Sequence, residues 1–131
     1  GWNPEAVQLC LIDGGQELPM WRLVQMNEMM SVPDLLRQLS GTGYDPVLSP
    51  IFRTYPSTDT MLRMDMALDQ YLLDTISRLG LTYYHTGGPL LFYLVAKEFE
   101  LRNIRIIVSG LYDGFSADKI TPMLITVQEE T

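Results

Sequence analysis

The chain has 131 residues, 47% hydrophobic and 19% charged, which suits one globular domain with a real core and argues against a disordered chain. A net charge of −7 argues against a nucleic-acid partner, which needs a basic footprint, and against an anionic membrane surface. One cysteine, Cys10, rules out an internal disulfide framework, and no apolar run approaches the roughly 18 residues of a membrane span. The expectation is a soluble chain of a reducing, intracellular compartment.

In chain order, the apolar spacing is helical nearly everywhere. "PEAVQLCLI" opens on Pro4, a natural first-turn residue, and stops at Asp13, Gly14 and Gly15. "LPMWRLVQMNEMM" follows as a second helix, with Trp21, Val24 and Met29 among its apolar positions. Ser31 reads as the N-cap of "VPDLLRQLSG", with Gly41 as its stop. "YDPVLSPIFRTY" carries two prolines and predicts a short or broken helix.

Pro56 and Ser57 open a long segment from Asp59 to Leu79. There Met61, Met64, Leu68, Leu72, Ile76 and Leu79 keep the spacing of one buried stripe, and Gly80 ends the helix. "TYYHTGGP" is a loop, and Pro89 starts the next helix, which Gly110 or the pair Asp113–Gly114 terminates. "SADKITPMLITV" predicts a last short helix with Ser116 as cap and Pro122 weakening its middle. No alternating strand pattern is long enough to compete, so residues 1–131 read as a single all-α domain, a bundle of about six to seven helices.

The stretch "AKEFELRNIRIIVSG", residues 96–110, combines five charges with an apolar run. At about 100° per residue, Glu98, Arg102 and Arg105 gather within a sector of roughly 60°. Phe99, Leu101, Ile104, Ile106, Ile107 and Val108 cover most of the remainder, which predicts a helix buried on most sides with one thin charged line. Glu98 precedes Arg102 by four residues, the favourable orientation for a helical pair. Exposed, such a pair contributes only about 0.3–0.5 kcal/mol. Facing another helix or a partner, the same arginines can make bidentate contacts. A solvated polar stripe on a core helix remains the alternative.

Catalytic chemistry is poorly supplied. His85 stands alone in an aromatic loop, where a structural role is the plainer reading. Cys10 has no histidine near it in sequence, which favours a buried and inert thiol. Asp65 and Asp69 lie one turn apart but lack a third ligand, so an acidic edge facing solvent or a partner is favoured over a metal site. Asp74 belongs to the same helix. The glycine pairs Gly14–Gly15 and Gly87–Gly88 match neither a phosphate loop nor a dinucleotide fingerprint, and "GTG" at Gly41–Gly43 follows a helix. Met61, Met64 and Met66 are expected to fill core. No enzyme, cofactor or metal is indicated.

"GGPLLFYLVAKEFELRNIRIIVSG", Gly87 to Gly110, resembles the signature helix of the C-type stalk protein (d in eukaryotes) of vacuolar-type and archaeal-type rotary ATPases. The family's "AKE.E.RNIR" block is matched by Ala96, Lys97, Glu98, Glu100, Arg102, Asn103, Ile104 and Arg105. Upstream, Leu35, Leu36, Leu39, Thr42 and Tyr44 resemble its "LL..L..T.Y" element. "DMALDQYLLD" is similar to its acidic helix, with Asp65 in place of the usual Glu, and "LIDGG" is similar to its "IPGG" turn. Thr121–Pro122 departs from the charged, unbroken helix that the family has at its close.

The resemblance implies one unit, the C-terminal one, of a pseudo-threefold funnel of helical units, present as a fragment or a truncated homologue. It implies a non-catalytic central-stalk subunit joining the rotor stalk to the membrane proteolipid ring and transmitting torque for proton or sodium transport. Its place would be cytoplasmic, at the membrane only through the complex, with no cofactor. Glu98, Glu100, Arg102, Asn103 and Arg105, with Asp65 and Asp69, would then be structural or partner-interface residues. The alternative is a free-standing helical adaptor binding through a Met-rich and aromatic surface.

Overall fold

A computed structural model describes residues 3–53, 55 and 59–127, and everything it describes is helical or irregular, with no strand. Seven α-helices and one 3₁₀ turn are present among these residues: α1 Pro4–Gln8, α2 Met20–Asn27, α3 Val32–Leu39, α4 Asp45–Phe52, α5 Thr60–Thr82, α6 Gly88–Tyr112, α7 Ala117–Ile120 and the turn Thr121–Met123. Pro56 and Ser57, read as the opening of the long helix, lie outside the described residues. The chain divides into two compact units, Gly1–Met61 and Leu62–Thr131.

In the first unit, short helices are set by their caps and prolines. Asn3 accepts from the Glu5 amide (3.2 Å) and Pro4 fills the first turn, but α1 stops at Gln8. Cys10 therefore lies beyond the helix and is exposed, contrary to the expectation of a buried thiol. Ser31 caps α3 as its position predicts, accepting from the Asp34 amide at 3.3 Å. Gly41 follows α3 at φ +81°, a left-handed conformation that costs glycine nothing. Pro50 lies inside α4, which ends at Phe52. Arg22 of α2 donates to the Gln38 carbonyl at the end of α3, and Asn27 donates to the Pro4 carbonyl at 2.8 Å. Leu39, Leu48 and Ile51 are buried.

The second unit is built on α5 and α6, which run antiparallel: Asp69 meets Arg102, Leu73 packs with Phe99, and Gly80 meets Phe92. Its core is Leu73, Phe99 and Ile125, with Met66, Phe92 and Val95 packed against them. Gly80 does not end α5, which continues to Thr82. The glycine is there because a Cβ would stand 3.0 Å from the Phe92 Cβ, so it lets two helices approach closely. Gly110 likewise stays inside α6, where a Cβ would fall 2.8 Å from Ile120 side-chain carbons. The helix ends at Tyr112 with Gly114 at φ +75°.

Two further expectations about burial fail. The stripe Met61, Met64, Leu68, Leu72, Ile76 and Leu79 is not the core line of α5. Met61 is 67% exposed and Leu72 and Leu79 are also exposed, while Leu73, one position on, is 2% exposed. α6 is also not buried on most sides; only Phe99 and Gly110 are fully buried along it. The closing segment differs too. α7 spans four residues, Pro122 sits in the 3₁₀ turn, and the chain leaves it at an extended Leu124, with no helix or strand over residues 124–127. Proline lacks the N–H that an α-helix needs beyond its first turn, so the helix could not continue through it.

Candidate functional site

The sequence-derived site residues all fall on the α5–α6 hairpin, but they divide into four groups. Arg102 does not pair with Glu98. Its Nη1 lies 2.5 Å from Oδ2 of Asp69 on α5, with side-chain exposures of 48% and 23%. An inter-helix carboxylate wins because it is partly withdrawn from water, so its charge interaction is less screened than that of an exposed neighbour on the same helix. The bridge therefore locks helix to helix in the middle of the hairpin.

Asn103, one residue on, does different work. Its Nδ2 donates to the Ile125 carbonyl at 2.6 Å, and its Oδ1 accepts from the Ile125 amide at 3.0 Å. An amide side chain with both a donor and an acceptor is the type that can satisfy both groups of one backbone residue. From the other helix, Gln70 Nε2 donates to the Thr126 carbonyl at 2.9 Å and to Asp74 Oδ1 at 2.8 Å. The non-helical segment 124–127 is thus held by α5 and α6 at adjacent residues, with Ile125 pressed into the core. Sequence reasoning missed Gln70 and this segment. Thr121–Pro122 was the available signal that helix gives way to extended chain there.

Glu100 is engaged on its own helix, accepting from Lys97, and holds that ammonium's pKa above the ordinary 10.5. Glu98 and Arg105 are exposed, and among the described residues neither makes a side-chain hydrogen bond or ion pair. Asp65 is exposed at the rim of a cavity of about 150 Å³ lined by Met66, Asp69, Arg102, Ile106 and Ile125. The charged line is thus not one feature. Arg102 is internal bracing, while Glu98 and Arg105 are left for solvent or a partner.

Among the described residues no cluster of three or more His, Cys, Asp or Glu side chains could hold a metal. His85 lies against Tyr84, ring centroids 3.6 Å apart, and is exposed. Among the same residues no helix is long and apolar enough to cross a membrane. What the arrangement supplies is a stiff, cross-braced helical pair with a long exposed face.

The model of the ATP synthase (C/AC39) subunit family matches residues 3–123. Proteins named as the C-type subunit of A-type ATP synthases are similar: 27% identical in Methanocaldococcus jannaschii over 86% of this chain, 30% in Methanobrevibacter smithii over 88%, and 31% in Halobacterium salinarum over 87%. The chain spans only 28, 30 and 32% of those three relatives' lengths. No solved structure matches significantly.

Proposed function

Because the chain belongs to the ATP synthase (C/AC39) subunit family, we propose that it is one helical unit of a non-catalytic rotor subunit, part of the central stalk of an archaeal- or vacuolar-type rotary ATPase. The family match over residues 3–123 carries this reading. We read the unit as the C-terminal one of a longer chain built from similar units; that the chain spans 28–32% of the relatives' lengths supports its being one part of a longer parent. The parent links the rotating stalk to the membrane proteolipid ring, passing torque between ATP turnover and proton or sodium movement. It sits on the cytoplasmic side, held to the membrane through the complex.

The bracing of α5 to α6 supports a mechanical part. Transmitting torque calls for a body that does not shear, and here a charge bridge, a close glycine contact and two side-chain clamps oppose sliding of one helix on the other. Packed protein interiors are stiff, so such ties carry strain between elements. Glu98 and Arg105, with Asp65, are the side chains we assign to contacts beyond the unit.

The test is co-purification. The full-length parent is tagged in its own host, the membranes are gently solubilised, and the captured proteins are identified by mass spectrometry. Stalk subunits and proteolipid ring in stoichiometric amounts are expected. A clean preparation lacking both would refute the rotary reading and return the adaptor one.

A further inference from the structure

After α7 the chain returns to α5 and α6 through one short segment. Ile120 is buried against Gly110, and Ile125 is buried against Leu73 and Phe99. Between these two anchors lies the 3₁₀ turn that contains Pro122. The chain beyond the turn can therefore lift from α5 and α6 while α7 stays seated through Ile120. What holds it there is of one kind. Asn103 gives its donor and its acceptor to the carbonyl and the amide of Ile125, at 2.6 and 3.0 Å, and Gln70 donates to the Thr126 carbonyl at 2.9 Å. All three bonds end on main-chain groups that every residue except proline carries in full. Only the Ile125 side chain is read, by its fit in an apolar socket.

That socket is loosely filled. A cavity of about 290 Å³ adjoins Ile125 and runs past Tyr93, Lys97 and Glu100, and a second of about 150 Å³ adjoins it beside Met66 and Ile106. A side chain bordered by voids forgoes the dispersion contacts that the missing atoms would make, so Ile125 is held less firmly than a fully packed core residue. Main-chain bonds for affinity and one pocket for specificity are also the means by which proteins bind peptides from other chains.

We propose that the groove between α5 and α6 is a peptide-binding site, which residues 124–127 of the chain itself occupy as a removable ligand. The ligand class is a short non-helical peptide with a free N–H and a branched aliphatic side chain at the anchor position. Proline fails there for want of the N–H, and a charged residue fails because the socket is apolar. Another such peptide displaces the closing segment rather than adding to it, because Asn103 serves one main-chain pair at a time. The tethered segment competes at an effective concentration of about millimolar, so a free peptide meets a groove that is nearly always closed. Nothing in this proposal rests on the rotary reading.

The probe is a capped peptide of residues 121–127, TPMLITV, titrated by NMR into the 131-residue chain. Ile125→Ser in the chain vacates the socket from within and should raise the peptide's affinity by roughly tenfold or more over wild type. Adding Asn103→Ala to that variant should reverse the gain. A peptide N-methylated at its isoleucine should lose it too, having no proton for the Asn103 oxygen. If Ile125→Ser loses helix content by circular dichroism, isotope-labelled wild-type chain decides the matter. Excess unlabelled peptide should speed hydrogen exchange at the chain's own Ile125 amide several-fold and leave Leu73 unaffected, because only displacement of the closing segment frees that proton. Binding that ignores Asn103→Ala or the N-methyl group would overturn the proposal. So would a folded Ile125→Ser chain that takes the peptide no better than wild type, or Ile125 exchange in wild type that excess peptide leaves unchanged.

Discussion

Asn103→Ala tests whether the closing segment is structural. The substitution removes two hydrogen bonds to Ile125, at 2.6 and 3.0 Å. A neutral bond contributes about 0.5–1.5 kcal/mol net, and a half-buried amide left unpaired costs somewhat more, so the local loss is ~2 kcal/mol. Ile125 is 5% exposed. If its segment lifts, a further ~1.5–3 kcal/mol of apolar burial goes with it. Hydrogen exchange read by NMR at the Ile125 amide is the direct assay, because the bond in question protects that proton. At ~1.4 kcal/mol per tenfold, 2 kcal/mol predicts about a thirtyfold loss of protection there, with Leu73 in mid-α5 far less affected. Asn103→Asp adds a control: it keeps the acceptor for the Ile125 amide but points a carboxylate at the Ile125 carbonyl, so it should not rescue. Unchanged protection at Ile125 in the alanine variant would refute the clamp.

The other expectations are smaller or sharper. Gly88→Ala should destabilise the second unit by about 1–3 kcal/mol in thermal or denaturant unfolding, because the new Cβ would lie 2.8 Å from the Tyr83 carbonyl oxygen, which cannot swing aside. A double-mutant cycle on Asp69→Asn and Arg102→Gln should give a coupling of about 0.2–1 kcal/mol, shrinking in 1 M salt, since both partners keep some contact with water. A coupling of zero would demote the bridge to a surface contact without energetic weight. The Lys97–Glu100 pair raises the lysine pKa in the folded chain, so its contribution is fully present below the unfolded lysine value near 10.5 and is lost as pH rises through the higher folded one. Titration of the Lys97 ammonium by NMR should show an upward shift that disappears in Glu100→Gln.

What the sequence made legible was whatever a residue does alone or with near neighbours. Ser31 capped the helix it was expected to cap, Pro4 and Pro89 stood in the first turns of α1 and α6, and the two-proline segment gave an eight-residue helix. The failures share a cause, which is competition between near and distant partners. Glu98 looked like Arg102's partner because spacing within a helix is visible, whereas Asp69 lies 33 positions back and wins only once the hairpin folds. Gly80 looked like a stop because glycine is costly inside helices, yet the proximity of Phe92 requires it. α5 carries apolar residues on several faces, so periodicity alone could not tell the Leu72 line from the Leu73 line. Asn103 was singled out as a charged-line neighbour, and its actual work, holding a backbone segment, needed the three-dimensional path of residues 124–127.

That segment also sets a gauge on the two helices beneath it. Ile125 and Thr126 are consecutive, so their Cα atoms are held about 3.8 Å apart, and the carbonyl of one answers to Asn103 on α6 while that of the other answers to Gln70 on α5. A slip of α5 along α6 by one helical turn, about 5.4 Å, would leave at least one of those carbonyls facing nothing. The short stretch of non-helical chain therefore works like a vernier laid across two rods: only one alignment of the marks is allowed, and every lesser displacement is read as a broken bond.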